Sequence, residues 1–515
     1  MEWLNFILIA VVFLLIFAPL AFSIFLRMLD KNQQQHSILR NFPLLGKARY
    51  LIEKVGPEMR QYLFDDDHEG KPFSREDYQH IVLPAKYQNN MIGFGSKREF
   101  DSQGYYVKNA MFPKQREEMR VDNSDLIETK KYEIDEDGLF KRKEHRKKDT
   151  VKPWLLPEED AVVIGPGCRE PFKVRGLIGM SGMSYGSLGE RAITALSKGL
   201  GMSHGTWMNT GEGGLSPYHL EGDVDIIMQV GPGLFGVRTK DGELDWDELK
   251  HKADLKQVKA IELKLGQGAK TRGGHLDGSK VSPKIAEIRR IEPYKTVDSP
   301  NRFNEFQDYQ SMFAFINQVR DVTGLPVGIK LVVGGESEVE DLAENMKIHE
   351  VGPDFITVDG SEGGTGATYQ ELADGVGLPI RAAVPIVDDM MRKHGVRDRV
   401  KIIASGKMFT ADRVAMILSM GADLVNIARA FMITVGCIMA LRCHTNTCPV
   451  GVATTDDELQ QGLVIEEKSY RVLNYLVTLR EGLYNVAAAS GLDSPTQFSQ
   501  GHVVFKDERG QTVEV

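Results

Sequence analysis

The distribution of hydrophobic residues divides the chain into two regimes. Residues 3–26 form an apolar run that contains no charged side chain. At about 1.5 Å per residue, this run is long enough to cross a bilayer as an α-helix. Beyond about residue 150, short apolar runs alternate with stretches in which apolar residues recur every three to four positions. The first regime predicts a transmembrane helix, and the second predicts repeated strand and helix units.

The repeated units predict the fold class. The predicted strands are residues 173–180, 260–265, 327–333, 355–358, 400–404 and 424–428. The predicted helices are residues 188–200, 309–323, 339–349, 380–394 and 411–420. Such alternation requires a parallel sheet covered by helices, and a span of about 300 residues favours an α/β fold of the (β/α)8 TIM barrel type. An open dinucleotide-binding sheet is disfavoured, because no G-x-G-x-x-G turn follows a first strand.

The N-terminal run is predicted to be a membrane anchor within residues 1–30. The chain starts with Met-Glu and the far flank of the run reads FLRML, so a cleaved secretory signal is disfavoured. Pro19 inside the span is tolerated as a kink. The basic residues that follow are Arg27, Lys31, Arg40, Lys47 and Arg49. The positive-inside rule therefore predicts a single-pass protein of the cell membrane with a cytoplasmic catalytic domain. A buried helix of a soluble core is the alternative.

Three other segments complete the predicted organisation. Residues 31–152 are predicted to form an extension that packs on a barrel of residues 153–455, and residues 456–515 are predicted to form a helical tail. The extension contains an amphipathic helical region whose apolar face is expected to pack onto its own domain. The apolar positions are Leu44, Leu45, Tyr50, Leu51, Val55 and Met59. The basic run 141–148 is predicted to be a solvated loop, with contact to anionic lipid headgroups as the alternative.

Composition narrows the possible functions. The chain has 515 residues, of which 42% are hydrophobic and 26% are charged, so it can bury a large core. Its net charge of -9 argues against a nucleic-acid-binding surface. Only four cysteines occur, and three of them are clustered, which indicates a reducing compartment rather than a disulfide scaffold.

The three clustered cysteines are Cys437, Cys443 and Cys448, with the spacing C-x5-C-x4-C. Thiolates that converge from one loop are what an iron–sulfur cluster requires. Zinc is the weaker interpretation, because structural zinc sites use C-x2-4-C knuckles. Three cysteines suit a three-iron cluster, or a four-iron cluster with His444 or Cys168 as the fourth ligand. The remaining alternative is that the cysteines are small buried hydrophobic residues.

Polar and glycine-rich motifs follow several predicted strands. In a barrel of this kind the C-terminal ends of the strands form the active site. Small residues there let backbone amides approach a flat ring, and glycines before helix N-termini suit a phosphate. The candidate segments are 182–187, 209–214, 267–270, Lys330, 359–366 and 405–407. Their recurrence at successive strand ends favours a binding site over ordinary turns.

Several motifs resemble, in chain order, the FMN-binding synthase domain of glutamate synthase. They are SGMSYGSLG, NTGEGG, QGAK, GGHLDGSKV, VGIKLV, DGSEGGTGA and GCIMALRCHTNTCPVGVAT. The resemblance covers residues 153–455, and the cysteine spacing matches the 3Fe-4S ligands of that family. The anchor followed by HSILRNFPLLGKARYL resembles stand-alone, membrane-anchored glutamate synthase large-subunit-like proteins. No amidotransferase domain or C-terminal β-helix is recognised, so the chain is not expected to release ammonia from glutamine.

The resemblance implies an oxidoreductase that uses FMN and a 3Fe-4S cluster and acts on an amino acid/2-oxo acid couple such as 2-iminoglutarate. Glu212 is implied to handle the proton of the substrate nitrogen, while Lys270 and Gln267 are implied to bind carboxylates or the oxo oxygen. The implied FMN contacts are Gly182, Met183, Ser184, Asn209, Gln229, Lys330, Ser361, Gly363, Gly364, Gly366, Ser405, Gly406, Lys407 and Arg429. The implied cluster ligands are Cys437, Cys443 and Cys448. Leu234 stands where the family has an arginine, and His275 stands where it has a glutamine.

The resemblance also implies the partners. Electrons are expected from a one-electron donor protein such as ferredoxin, since no NAD(P)H site is evident. The other expected partners are a small amino acid or 2-oxo acid and the membrane, and nucleic acid is not expected. Two alternatives remain open, because one fold supports many chemistries. They are a different FMN-dependent amino-acid or 2-hydroxy-acid dehydrogenase that passes electrons to a membrane partner, and a non-catalytic electron-relay scaffold.

Overall fold

The structure is a computed structural model and describes residues 2–138, 141–271 and 273–514. The chain divides into two compact units, Met1–Gln79 and His80–Val515. The helices are α1 (Glu2–Asn32), α2 (Ser37–Asn41), α3 (Leu45–Met59), α4 (Arg75–Tyr87), α5 (Glu190–Ser203), α6 (Trp246–Ala253), α7 (Pro283–Arg289), α8 (Tyr309–Thr323), α9 (Glu336–Ile348), α10 (Gln370–Gly375), α11 (Ile380–Lys393), α12 (Ala411–Ser419), α13 (Arg429–Thr434), α14 (Asp457–Gln461) and α15 (Ile465–Ala489). The strands are β1 (Gly104–Val107), β2 (Ile127–Gly138), β3 (Lys141–Val151), β4 (Val162–Ile164), β5 (Phe172–Val174), β6 (Ile178–Met180), β7 (Trp207–Asn209), β8 (Asp225–Val230), β9 (Val258–Lys264), β10 (His275–Leu276), β11 (Val297–Asp298), β12 (Val327–Leu331), β13 (Phe355–Asp359), β14 (Lys401–Ser405), β15 (Leu424–Ile427), β16 (Val503–Lys506) and β17 (Thr512–Glu514).

The first unit is built on α1, which is apolar and almost entirely exposed. Among the described residues, the segment Trp3–Asn32 is the one helix that is long and apolar enough to cross a membrane. Near its end, buried Asp30 accepts a hydrogen bond from the Leu44 backbone N–H at 3.0 Å and pairs with Lys47 at 2.7 Å. The start of α3 is thereby fixed to the end of α1.

The amphipathic helical region of the first unit is present as α3, and a π-helical turn, Arg60–Phe64, extends it. The expectation that its apolar face packs onto its own domain is not met at Leu45, Leu51, Val55 and Met59, which are exposed, whereas Leu44 and Tyr50 are half-buried. Periodicity alone shows which residues share a face of a helix. It does not show what covers that face.

The second unit contains a closed barrel of eight parallel strands, in the order β6, β7, β8, β9, β12, β13, β14 and β15. The predicted (β/α)8 fold is therefore confirmed. The register places Gln229 beside Glu262, and Lys264 beside Lys330. Because parallel strands end at the same rim, these polar side chains are brought together at the C-terminal end of the barrel.

The predicted barrel strands agree with the structure except at the start of the barrel. The segment 173–180 is not one strand, since β5 pairs antiparallel with β4 and only β6 joins the barrel. Gly176 lies between the two strands, and a Cβ atom there would lie 2.5 Å from the buried Arg480 guanidinium, so a larger residue would not fit. The predicted strands also omit β7 and β8, whereas the bounds of α8 match the prediction.

Two segments outside the barrel differ from the sequence-based expectations. The basic run 141–148 lies in β3, which forms an antiparallel hairpin with β2, so the predicted loop is wrong. Its cations face carboxylates across the hairpin, as in the 2.7 Å pair between Lys147 and Glu133. The tail is helical through α15, but β16 and β17 then form a small sheet with β1. In α15, the buried Arg480 side chain donates hydrogen bonds to the carbonyls of Pro153, Ser203 and His204.

Candidate active site

A buried glutamate organises the rim between β7 and β13. Glu262 on β9 is fully buried and accepts hydrogen bonds from Asn209 Nδ2 at 2.8 Å, Gln229 Nε2 at 2.6 Å and Thr357 Oγ1 at 2.5 Å. These bonds fix the orientation of two side chains that the sequence assigned to a cofactor. Glu262 itself was missed, because a single acid within an apolar strand gives no periodic signal.

Glu212 lies in the loop after β7 between two lysines. Its Oε1 atom is 2.6 Å from Lys264 Nζ and 3.3 Å from Lys270 Nζ. Burial raises the pKa of Glu212, but the two ammonium groups outweigh burial and hold that pKa at about 2. Burial lowers the pKa of Lys264 to about 8, against the opposing charge of Glu212. At neutral pH the carboxylate is therefore an anion that shares one oxygen between two lysine side chains. Lys264 was also missed from the sequence.

A third missed residue, Arg289 at the end of α7, lies near Glu212. A Cβ atom on Gly213 would be 2.8 Å from Arg289 Nη2, so the guanidinium packs against the loop that carries Glu212. Its Nη2 atom donates to the Tyr185 carbonyl at 3.2 Å, while buried Nε has no hydrogen-bond partner among the described residues. Burial lowers the pKa of Arg289 to about 10, and Glu212 opposes this shift. An unsatisfied buried cation is a strong candidate for binding an anion.

Lys330, near the end of β12, lies in register with Lys264 on the neighbouring strand β9. It is buried, with Nζ 3.3 Å from Asp359 Oδ2 and 3.4 Å from Ser181 Oγ. Asp359 also accepts a 2.9 Å hydrogen bond from the Gly268 backbone N–H. With Lys264, Lys270 and Arg289, the rim presents four cationic side chains. The nearby carboxylates are those of Glu212, Glu262 and Asp359. The excess of cations over carboxylates favours an anionic ligand.

The loop after β6 is held in place by a buried histidine. His219 Nε2 donates to the Met183 carbonyl at 3.0 Å, and the neighbouring Met183 N–H bonds the Asn209 carbonyl at 3.2 Å. Burial lowers the pKa of His219 to about 4, so the imidazole is neutral at physiological pH. Ser184 Oγ accepts a 3.2 Å hydrogen bond from Gly213 N–H. This loop therefore contacts the loop that carries Glu212, and Gly182 lies between Asn209 and Gln229.

The predicted phosphate-side residues also converge. Ser361, Gly363, Gly364 and Gly366 follow β13, Ser405, Gly406 and Lys407 end or follow β14, and Arg429 follows β15. The Arg429 guanidinium donates to the carbonyl of Glu362. A Cβ atom on Gly364 would lie 2.7 Å from Arg429 Cδ, so the glycine makes room for this cation. Loops after the last strands of such barrels often bind phosphate.

The role of Gln267 as a substrate ligand stays a prediction. The Gln267 Nε2 atom donates to the Gly364 carbonyl at 2.9 Å, which places the amide on the phosphate-side loop rather than beside Glu212. The two departures from the family follow glycines that lie against the Glu212 carboxylate, since a Cβ atom on Gly231 would lie 2.7 Å from Glu212 Oε2 and one on Gly274 would lie 3.0 Å from Glu212 Oε1. Leu234 is buried, and His275 is exposed and bonds Asp298 at 2.7 Å.

The cysteine loop approaches the same side of the barrel. Burial raises the pKa of Cys437 to about 11, and the charges of Cys443 and Cys448 add to this rise. Buried Lys280 donates to the Cys443 carbonyl at 2.5 Å, and the Met439 N–H donates to Cys437 Sγ at 3.4 Å. No three His, Cys, Asp or Glu side chains of the described residues surround a single metal ion. Thiolates of a multi-iron cluster stand farther apart, since each binds its own iron.

Unusual backbone conformations mark this loop. Met439, Leu441 and Asn446 have φ angles of 59°, 55° and 61°. Such left-handed residues concentrate at functional sites, where the surrounding structure imposes them. Cys168 does not join the loop. Its Sγ atom contacts Asp354, which precedes β13, so it lies at the N-terminal ends of the strands. His444 is exposed beside Cys443.

Comparison with known proteins gives consistent matches. A family model described as the conserved region in glutamate synthase matches residues 115–493. Over its full length the chain is 56% identical to the glutamate synthase large subunit-like protein YerD of Bacillus subtilis and covers 98% of it. It is 32% identical to the archaeal-type glutamate synthase (NADPH) of Thermotoga neapolitana, across 61% of this chain and 59% of that one. The flavin-binding domain of baker's yeast flavocytochrome b2 aligns with a TM-score of 0.44 and 13% identity, over 85% of this chain and 81% of that chain. A likeness at that level carries no functional argument.

Proposed function

The chain belongs to the glutamate synthase family, and on this premise we propose that its barrel is an FMN-dependent oxidoreductase acting on an amino acid/2-oxo acid couple. The observation that supports this function most strongly is the buried group of Glu212, Lys264 and Lys270 beside the unsatisfied guanidinium of Arg289. A small carboxylic acid with a nitrogen at its α-carbon complements this group, because its carboxylate suits the cations and its nitrogen suits the Glu212 carboxylate.

Each side chain has a definite task in this proposal. Arg289 and Lys270 bind the carboxylates of a dicarboxylic 2-oxo or 2-imino acid, because guanidinium and ammonium groups donate to carboxylate oxygens. Glu212 is ionised and accepts a hydrogen bond from the imino or amino nitrogen, which orients the α-carbon. Reduction of the imine to the amine consumes two electrons and two protons. One proton at the nitrogen gives an iminium beside the Glu212 carboxylate, which Lys264 at 2.6 Å helps to keep ionised, and the other proton arrives at the α-carbon with the electron pair.

The residues present fit FMN. Near one end of the site, Lys330 supplies a cation, and the side chains of Gln229 and Asn209 supply polar groups. At the other end, Lys407, Arg429 and the glycines after β13 and β14 provide cations and backbone N–H groups that suit a phosphate. Bound FMN would supply the two-electron reduction of the α-carbon. The Lys330 ammonium would stabilise negative charge on a bound flavin ring, and His219 holds the loop of Gly182, Met183 and Ser184 through the Met183 carbonyl.

The cysteine loop fits an iron–sulfur cluster through its donor set. Three thiols, an N–H to sulfur contact and a buried lysine occur together on a conformationally constrained loop. Three ligands match a 3Fe-4S cluster. A cluster there would pass single electrons, so we propose a one-electron carrier protein such as ferredoxin as the donor. Cys437, Cys443 and Cys448 would be the ligands.

The apolar helix supports a membrane location. Its length and composition suffice to span a bilayer, and its apolar side chains are exposed over the whole span. We propose that it anchors the protein as a single-pass membrane protein, with the barrel on the cytoplasmic side as the flanking basic residues predict.

Anaerobic turnover tests the proposed reaction. Full-length protein would be supplied with dithionite-reduced methyl viologen, a panel of 2-oxo acids and ammonium, and amino-acid products would be measured. We expect a dicarboxylic 2-oxo acid to yield its amino acid, and we expect Glu212→Gln to lose about 100-fold or more of the rate. Glu221→Gln, an exposed carboxylate paired with Lys198 at 3.4 Å, is the matched control. Flavin reduction by 2-hydroxy acids, without any amino acid formed, would instead establish the dehydrogenase alternative.

A further inference from the structure

The helix after the membrane span carries an apolar face that the described residues of the first unit leave exposed. Along α3 and its π-helical extension, apolar residues recur every three to four positions. They are Leu45, Ala48, Leu51, Ile52, Val55, Met59, Tyr62 and Leu63. At 3.6 residues per turn they form a stripe about 120° wide. Leu45, Leu51 and Leu63 are 78%, 63% and 70% exposed.

The opposite face of this helix is polar and mostly basic. Residues 37–64 contain five Lys or Arg side chains and two Glu side chains. Arg49 pairs with Glu53 at 2.7 Å on this face, and Lys54 and Arg60 lie beside them. A helix with a wide apolar stripe and a cationic opposite face has the composition of a helix that lies in the plane of a membrane interface.

The connection to α1 holds α3 at the end of the apolar span. Asp30 is 3% exposed, pairs with Lys47 at 2.7 Å and accepts from the Leu44 backbone N–H at 3.0 Å. Leu44 has a φ of 67°, a left-handed conformation that a leucine adopts only where neighbouring contacts impose it. The chain therefore turns sharply where the span ends, and α3 starts within hydrogen-bonding distance of the residue that ends the span.

We propose that α3, with its π-helical extension, is an interfacial helix that lies on the bilayer with Leu51, Ile52 and Val55 in the acyl-chain boundary. The partner is an anionic lipid surface, since the basic face would meet headgroups and the apolar face would meet hydrocarbon. This inference rests on the membrane anchor proposed above. It extends that proposal by assigning a second membrane-contacting element, which fixes how the chain leaves the bilayer.

Tryptophan quenching by brominated lipids tests the inference. Full-length protein with Trp3→Phe, which removes the tryptophan of the span, would carry either Leu51→Trp on the apolar face or Lys54→Trp on the polar face. Both variants would be reconstituted into vesicles of phosphatidylcholine and phosphatidylglycerol whose acyl chains carry bromine. We expect the added tryptophan at position 51 to be quenched at least about twofold more than that at position 54, because only the apolar face reaches the acyl chains.

The outcomes distinguish failure of the interfacial-helix proposal from failure of the membrane-anchor proposal. Equal quenching at the two positions in protein that floats with the vesicles would overturn the interfacial helix and leave the anchor intact. Failure of the full-length protein to float would overturn the anchor, and with it this inference. A third outcome is that the tryptophan at position 51 is shielded from aqueous iodide but is not quenched by bromine, and that chains cross-link to one another. This outcome would show that a second copy of the chain, and not lipid, covers the apolar face.

Discussion

Replacing Glu212 with glutamine should destabilise the second unit, because it leaves Lys264 and Lys270 without their shared carboxylate. Both lysines lie within 3.3 Å of Glu212 Oε1, and both are buried. Removing one member of a buried ion pair costs about 3 to 5 kcal/mol. The lowered pKa of Glu212 gives a free energy of similar size, since a fall from 4.5 to about 2 corresponds to about 3 kcal/mol of stabilisation of the charged form.

The penalty should depend on pH in a defined way. The pKa of Glu212 is lowered in the folded state, so its stabilisation is fully present above 4.5 and is lost as the pH falls towards about 2. In the variant, Lys264 loses the carboxylate that raises its pKa, which then falls below the wild-type value of about 8. The folded state of the variant therefore begins to lose the Lys264 proton at a lower pH than the folded wild type does. Its free energy of unfolding consequently begins to rise at a lower pH. The penalty should therefore shrink as the pH rises through the neutral range to about 8, and it should shrink again below pH 4.5.

Thermal unfolding of the detergent-solubilised full chain is the suitable assay. With an unfolding entropy of about 2.1 cal/mol/K per residue over His80–Val515, a loss of about 3 kcal/mol lowers Tm by about 3 °C. Glu221→Gln removes a pair that is about half exposed, so its Tm should change by less than about 0.5 °C. The reasoning is refuted if the two variants lose equally at pH 7, or if the loss for Glu212→Gln is the same at pH 3, pH 6 and pH 9.

Three further substitutions test other parts of the structure, and two of them have matched controls in the chain. Arg289→Met should raise KM for the 2-oxo acid by about 100-fold with a smaller effect on kcat, because it removes a carboxylate-binding cation. Steady-state kinetics would measure both constants. As the control, Arg290→Met replaces an exposed arginine and should leave KM near that of the wild type. Cys443→Ser should lose bound iron while keeping flavin, as measured by metal and flavin analysis, whereas Cys168→Ser should keep both. Arg480→Met should lower the stability of the second unit by about 3 kcal/mol, because three backbone carbonyls lose their donor. An unchanged melting temperature would show that these carbonyls find other donors.

The barrel could be predicted from the sequence because its helices and longer strands carry clear periods. The strand β7 could not, since a run of three residues is too short to show any period. The omission of β8 has a different cause. Its penultimate residue is Gln229, whose buried amide donates a hydrogen bond to Glu262, and this pairing becomes visible only once the strand register is known.

The charged part of the site shows the same limit. Lys264 looks like the polar end of an apolar strand until β9 is placed beside the loop that carries Glu212. Arg289 and Arg290 are adjacent in sequence, yet the first is buried at the rim and the second is bonded to surface carboxylates. Nothing in an amphipathic helix end distinguishes these two arginines. Glycine-rich loops and clustered cysteines were recognisable because their composition is itself unusual.

The central claim is that this barrel holds FMN next to an iron–sulfur cluster bound by Cys437, Cys443 and Cys448. The most direct measurement is the visible absorption and low-temperature EPR of anaerobically purified, detergent-solubilised full-length protein, with acid-released flavin and iron quantified on the same sample. The account predicts stoichiometric FMN, bound iron, and a cluster EPR signal that disappears in Cys443→Ser while the flavin bands remain. A folded, colourless protein without flavin or iron would contradict it.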